Sequence, residues 1–322
     1  MITGFLGFVL NGFSIIVLSA VTVIALVSFA FYFRAIRLQR FSAESRQIGL
    51  WILVCSPWLI GLLSSAIVLL LSAPLVSSFV GNQFVHWHHP TEFALNSWHG
   101  YFVSIMLGMA ILMTLRAGFH VVKSSTTIST LSAMSSPGPE GVRILDTNTA
   151  AAFTAGIKDP SCYMTSALLD KINAEEFAII RLHEMAHIKR SDPLKKTLFH
   201  LLTTFFPAPI AISFNQSMTT AMEQSADAAV AKDHHDKAII AKTLLKVRRL
   251  VVHEFTDQFR VPQICHYGLD NIDQRIHYLL ADHKGDDIPK LLVLSFIALL
   301  AVSCALGTDT IHHAIEISLH HS

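Results

Sequence analysis

The chain has 322 residues, 52% of them hydrophobic and only 15% charged, with a mean hydropathy of +0.49. That balance excludes an ordinary soluble domain, and a formal net charge of +1 excludes nucleic acid as a bulk electrostatic partner. Cys55, Cys162, Cys265 and Cys304 stand at spacings that suit neither a metal site nor a disulfide framework.

In chain order, apolar runs at 8–33, 50–71, 101–122 and 291–306 predict four transmembrane helices, the last of them the shortest. No Lys or Arg precedes the first run, which is too long for the core of a signal peptide. Pro57 should kink the second without ending it. Arg34, Arg37, Arg40 and Arg46 fall between the first two runs, and every other Lys or Arg lies from Arg116 to Lys290. The positive-inside rule then puts both termini outside and segment 116–290 in the cytoplasm, with Trp98 and Tyr101 in an outer aromatic belt.

Residues 1–122 thus read as three membrane helices with short loops, and the Ser/Thr-rich stretch 123–141, ending Ser136-Pro137-Gly138-Pro139, as a linker. Residues 142–290 have the composition of a small globular domain. Residues 291–322 supply the fourth helix and a short outer tail. In the globular part, candidate strands at 142–145 and 152–155 precede helices expected at 174–190, 213–232 and 237–253. Asn173 with Glu176 makes a capping box for the first helix, and Asp192-Pro193 ends it. The apolar stretch 198–214, broken by Pro207 and Pro209, is expected as a buried helix; a membrane-skimming element is the alternative.

His183-Glu184-Met185-Ala186-His187 carries the H-E-x-x-H pattern on that first helix. Residues four apart share a helical face, so both imidazoles can reach one Zn²⁺, with Glu184 beside them to take a proton from water. Zinc needs a third protein ligand. Glu223, on the next strong helix, can complete a His₂Glu site, and Asp227, one turn on, can accept the remaining N–H of a ligand imidazole. Two solvated acids on an Ala-rich helix are the bland alternative.

The stretch Asn173 to Leu194, NAEEFAIIRLHEMAHIKRSDPL, together with Glu223-Gln224-Ser225-Ala226-Asp227, resembles the BlaR/MecR group of membrane zinc peptidases. The resemblance extends to Ala152-Phe153-Thr154-Ala155-Gly156 and to the four-span layout. It implies a mainly α membrane protein: four transmembrane helices, with a small α+β gluzincin-type peptidase domain inserted between helices three and four. It implies His183, His187 and Glu223 as zinc ligands, Glu184 as general base and Asp227 as orienting residue, with Asp192 a structural cap. Ala152, Phe153, Thr154 and Ala155 would form an open edge strand on which an extended substrate docks. The implied setting is a bacterial inner membrane. The implied substrate is a protein, either a helix-turn-helix repressor or the peptidase itself. Well-known members carry an outer penicillin-binding sensor after the fourth span, and no S-x-x-K motif follows it here. Any signal is therefore expected from a separate sensor protein or from the chain's own short outer segments.

Polar groups of suitable type to stabilise an oxyanion are His234, His235, His266 and Tyr267. Outer histidines (His86, His88, His89, His99, His312, His313, His320 and His321) suggest a metal or pH sensor, or simply a loose polar loop and tail. Two other functions stay open: a quality-control protease resembling HtpX or the CAAX endopeptidases, and a non-enzymatic metal-binding or transport protein. Transport asks for ionisable groups within the spans, which hold almost none beyond Arg116 and His120.

Overall fold

Residues 1–33, 38–71, 91–233, 236–250, 264–266, 271–281 and 285–320 are described by a computed structural model. The chain divides into two compact units, one of residues 1–37, 51–113 and 288–322, the other of residues 38–50 and 114–287. Arg34, Arg37, His86, His88, His89, His234, His235, Tyr267 and His321 lie outside the described residues.

Among the described residues, three helices are long and apolar enough to cross a membrane: α1 (Phe5–Tyr32), α2 (Ala43–Leu71) and α3 (Trp98–Met134), the last over Gly100–Met134. Pro57 sits inside α2 without ending it. In the first unit, small residues let helices approach closely. A Cβ on Gly61 would lie 2.8 Å from the Ile16 carbonyl oxygen. The Ser65 hydroxyl donates to Gly12 O at 3.1 Å, and the Ser64 hydroxyl to Ala301 O at 3.0 Å. A short pair, β1 (Ile2–Thr3) with β2 (Glu92–Phe93), runs antiparallel.

In the second unit, residues 123–134, expected as linker, continue α3 as helix. Thr127 Oγ1 donates to Lys123 O and Thr130 Oγ1 to Thr126 O, so these hydroxyls bond back to the preceding turn rather than unwinding it. The helix ends at Met134, just ahead of Pro137 and Gly138.

A five-stranded sheet follows, built from β3 (Ser136–Pro137), β4 (Arg143–Leu145), β5 (Ala152–Ala155), β6 (Ser161–Thr165) and β7 (Ile264–His266), in the order β3-β4-β6-β5-β7. Only β4 and β6 pair in parallel. Alternation along β5 sends Ala152 and Thr154 to one face and Phe153 and Ala155 to the other. On the latter face Phe153 stacks on Tyr163, with ring centroids 5.3 Å apart, and Leu131 of α3 packs over them. On the former, Ala152, Cys162 and Met164 join Ile180, Leu244 and Val247 in the main core. Gly156, at φ +114°, turns β5 toward β6; a Cβ there would meet Asp159 O at 2.8 Å.

The helices of this unit are α4 (Ala174–Lys189), α5 (Asp192–Thr203), α6 (Ala208–Asp233), α7 (Lys237–Leu250) and α8 (Ile272–Leu280). The capping box expected at Asn173 and Glu176 is present, with both hydrogen bonds at 2.9 Å. The expected second helix starts earlier, at Ala208, because Pro209 falls in its first turn, where no N–H is needed. Stretch 198–214 is therefore an elbow of two helices: Phe199, Phe206, Ile210 and Phe214 are buried, whereas Leu198 and Ile212 are exposed. The fourth apolar run lies in α9 (Lys290–His320), whose described apolar part, Val293–Gly307, is shorter than a span.

Candidate metal centre

α4 and α6 pack against each other and carry all the groups expected to hold a metal. His183 and His187, one turn apart on α4, bring their Nε2 atoms to 3.1 Å. Glu223 of α6 closes the triangle, with Oε2 3.4 Å from His183 Nε2 and Oε1 3.5 Å from His187 Nε2. His183, His187 and Glu184 are wholly buried, and Glu223 is 1% exposed.

The outer nitrogens decide what the inner ones can do. His183 Nδ1 lies 3.0 Å from Asp227 Oδ1, and His187 Nδ1 lies 2.7 Å from Asp192 Oδ2. A carboxylate only accepts, so each Nδ1 carries a proton, and each Nε2, once it gives up its own, can turn a lone pair toward an ion. Two lone pairs and a carboxylate converging in a buried space call for a cation. Ligands about 2.0–2.1 Å from a tetrahedral ion stand about 3.3–3.4 Å from one another; with one donor atom taken per residue, His183, His187 and Glu223 lie within 4.8 Å of one another, near enough to close on such an ion. Charge agrees with distance. Glu184, Asp192, Glu223 and Asp227 are four buried carboxylates, and the guanidinium groups paired with them are Arg190 and Arg275. With all four ionised and both imidazoles neutral, two negative charges remain, which a divalent ion balances. The residues present fit such an ion.

Arg275 of α8 was invisible to motif reasoning. Its side chain is fully buried; Nε and Nη2 donate to the two oxygens of Asp227 at 2.8 and 2.7 Å, and Nη1 lies 2.9 Å from Glu223 Oε2. An arginine in a short amphipathic helix 48 residues beyond Asp227 gives no local signal; only packing of α8 on α6 brings it in. Asp192 is more than the helix cap expected of it. It accepts from His187 and is itself held by Arg190 Nη2 at 2.6 Å. Ser191, at φ 54°, makes the sharp turn that places it.

These contacts set the protonation of the site. Burial alone would lower the His183 pKa, but the hydrogen bonds to Asp227 and Glu223 outweigh it and raise it to about 9. Burial would raise both carboxylates, yet the Arg275 charge drives Glu223 far below the usual range and Asp227 to about 2. Glu184 goes the other way. Burial pushes its pKa up, and the neighbouring imidazoles and the Thr154 hydroxyl offset this only in part.

Thr154 of β5 donates to Glu184 Oε2 at 2.6 Å, while Glu184 Oε1 is buried without a hydrogen-bond partner among the described residues. The strand therefore holds one oxygen of this carboxylate and leaves the other for chemistry. Its expected role as an open edge is not met. β5 is paired on both sides, by β6 and β7, and all four of its residues are buried. The outer position beside β5 is filled by Ile264–His266, a segment whose sequence gives no strand signal of its own. Of the expected oxyanion groups only His266 falls among the described residues, as part of the β7 backbone.

Residues 144–279 match the model of the BlaR1 peptidase M56 family. The similarity is to a metallopeptidase, and it runs from β4 to α8, through every residue of the centre. No curated protein matches the chain.

Proposed function

We propose that the chain is a membrane-embedded zinc metalloendopeptidase that cleaves a protein substrate at the cytoplasmic face. We place it in BlaR/MecR-like signalling, with a helix-turn-helix repressor or the chain itself as substrate. The convergence of two imidazole Nε2 atoms and the Glu223 carboxylate beside Glu184 carries this reading.

A zinc ion held by His183, His187 and Glu223 supplies Lewis acidity, which acidifies water and makes a carbonyl carbon more electrophilic. Glu184 moves the proton: Oε1 accepts it from the attacking water and returns it to the leaving amine nitrogen. Its raised pKa favours the return, because a strongly acidic carboxyl takes up protons poorly near neutrality. Thr154 fixes the other oxygen and so the direction of the free one. Asp227 and Asp192 keep both imidazoles in the tautomer that offers Nε2. Arg275 holds Glu223 ionised.

Access is closed at rest. The catalytic groups are buried, and β7 occupies the antiparallel position on β5 that an extended substrate would take. A substrate strand has to displace residues 264–266, so the enzyme is latent until they move.

The test is metal content and peptide cleavage measured together on the full chain in detergent. Wild type should hold about one zinc per chain. Glu184→Gln should keep the metal and lose cleavage, and Glu223→Gln should lose both. Metal content indifferent to Glu223 would overturn the ligand set.

A further inference from the structure

A cleft of about 220 Å³ in the second unit lies away from the metal centre and plays no part in the mechanism. It opens between the first two turns of α2, the N-terminal half of α6 and the start of α8, and its lining includes Arg46, Ser213, Gln216, Ser217 and Gln274. Among the described residues no acidic side chain lines it.

Arg46 is a cation without a counter-charge. Its guanidinium hydrogen-bonds the Gln224 side-chain carbonyl and sits over the Tyr278 ring, 5.5 Å from the centroid. Its Nε is buried with no acceptor, and among the described residues no carboxylate pairs with it. A half-buried guanidinium whose Nε is shut off from water and unpaired carries a desolvation cost that an arriving anion would offset. The neighbours are donors in waiting: Ser213 and Ser217 stand one turn apart on α6, and no hydrogen bond among the described residues engages their hydroxyls. One guanidinium fork, two hydroxyls and the Gln216 and Gln274 amides offer more donors than a planar carboxylate can use. That set suits a tetrahedral oxyanion.

Position narrows the ligand. Arg46 precedes by four residues Leu50, where the apolar run of α2 begins, so on that helix the guanidinium stands where polar headgroups meet hydrocarbon. Ile212, next to Ser213, is 58% exposed, and Leu38 and Leu50 are themselves in the lining. An apolar margin beside an anion-binding cleft fits a phosphate that carries acyl chains.

We propose that this cleft binds a phosphate group, with an anionic phospholipid headgroup as its source. The ligand would share Arg46 with Gln224, whose Nε2 donates to Gln274 O at 3.0 Å. Gln224 adjoins Glu223, and Gln274 adjoins Arg275. Occupancy is thus felt one residue from each, a consequence for activity that rests on the peptidase reading above.

The binding itself is tested without cleavage. Full-length protein in a zwitterionic detergent is titrated with short-chain phosphatidylglycerol, short-chain phosphatidylcholine and inorganic phosphate, read by ligand-observed NMR. Saturable binding of phosphatidylglycerol, absent with phosphatidylcholine, is expected. It should weaken about tenfold in Ser213→Ala/Ser217→Ala and in Arg46→Gln. The serine double variant should keep the melting temperature and metal content of wild type, and Glu184→Gln should bind as wild type does. Saturation by inorganic phosphate but not by the lipid would keep the phosphate site and overturn the lipid source. No saturable binding of either, or binding untouched by both sets of substitutions, would overturn the site. A failed peptidase reading would appear instead as absent metal with lipid binding intact.

Discussion

Arg275 is the side chain on which the charge balance of the centre turns. Its guanidinium lies between Glu223 and Asp227 and is fully buried with them. Arg275→Leu should leave two desolvated carboxylates facing each other, at a cost of about 3–5 kcal/mol. A large fall in melting temperature and loss of metal are expected, with partial recovery of metal in Arg275→Lys. Asp192→Asn replaces the charged acceptor that orients His187 with a weaker, neutral amide, and should weaken zinc about 10–100-fold in a chelator competition without unfolding the chain. The His183 pKa supplies a pH test on metal-stripped protein. Raised from 6.5 to about 9, it adds stability that is complete below pH 6.5 and lost as pH rises through about 9. Thermal melts of chelator-treated protein should therefore decline across that window, and a flat profile would contradict the hydrogen bonds to Asp227 and Glu223.

Among elements, α4 is the most fully specified by local sequence. Its capping box satisfies an orphan N–H at the N-terminus, and Asn173→Ala should cost about 1 kcal/mol, read by chemical denaturation. Pro193 and Pro209, which look like interruptions, sit in the first turns of α5 and α6 and start them. The strands show the opposite case. β7 has three residues and no pattern of its own; pairing with β5 is what makes it a strand. Replacing Ile264 and His266 by Pro removes donors that β7 can offer to β5. If β7 occupies the substrate position on β5, this variant should cleave an added peptide several-fold faster at unchanged zinc content. Equal rates would show that displacement of β7 does not gate entry.

For the whole molecule, three helices among the described residues are long and apolar enough to span a bilayer, which points to membrane association of this chain. Washing membranes with alkaline carbonate should leave it in the pellet. The second unit includes residues 38–50 as well as 114–287, so the start of α2 packs with the metal-bearing domain: Gln47 Nε2 donates to Ser225 Oγ at 2.8 Å, beside Gln224. The expected boundary at 142 thus cut too late and too simply, since a hydrophobicity profile cannot show which polar helix ends fold against a distant segment.

By itself the sequence determined the apolar helices, the H-E-x-x-H helix with its cap, and Glu223 with Asp227 one turn on, because these depend on periodicity and on spacing within one helix. Tertiary structure alone decided that Arg275 pairs with both acids, that Asp192 serves His187, that Thr154 leaves Glu184 one free oxygen, and that β7 covers β5. Each of these contacts joins two elements or turns a chain corner, and a burial cost met by a remote partner leaves no trace in local composition.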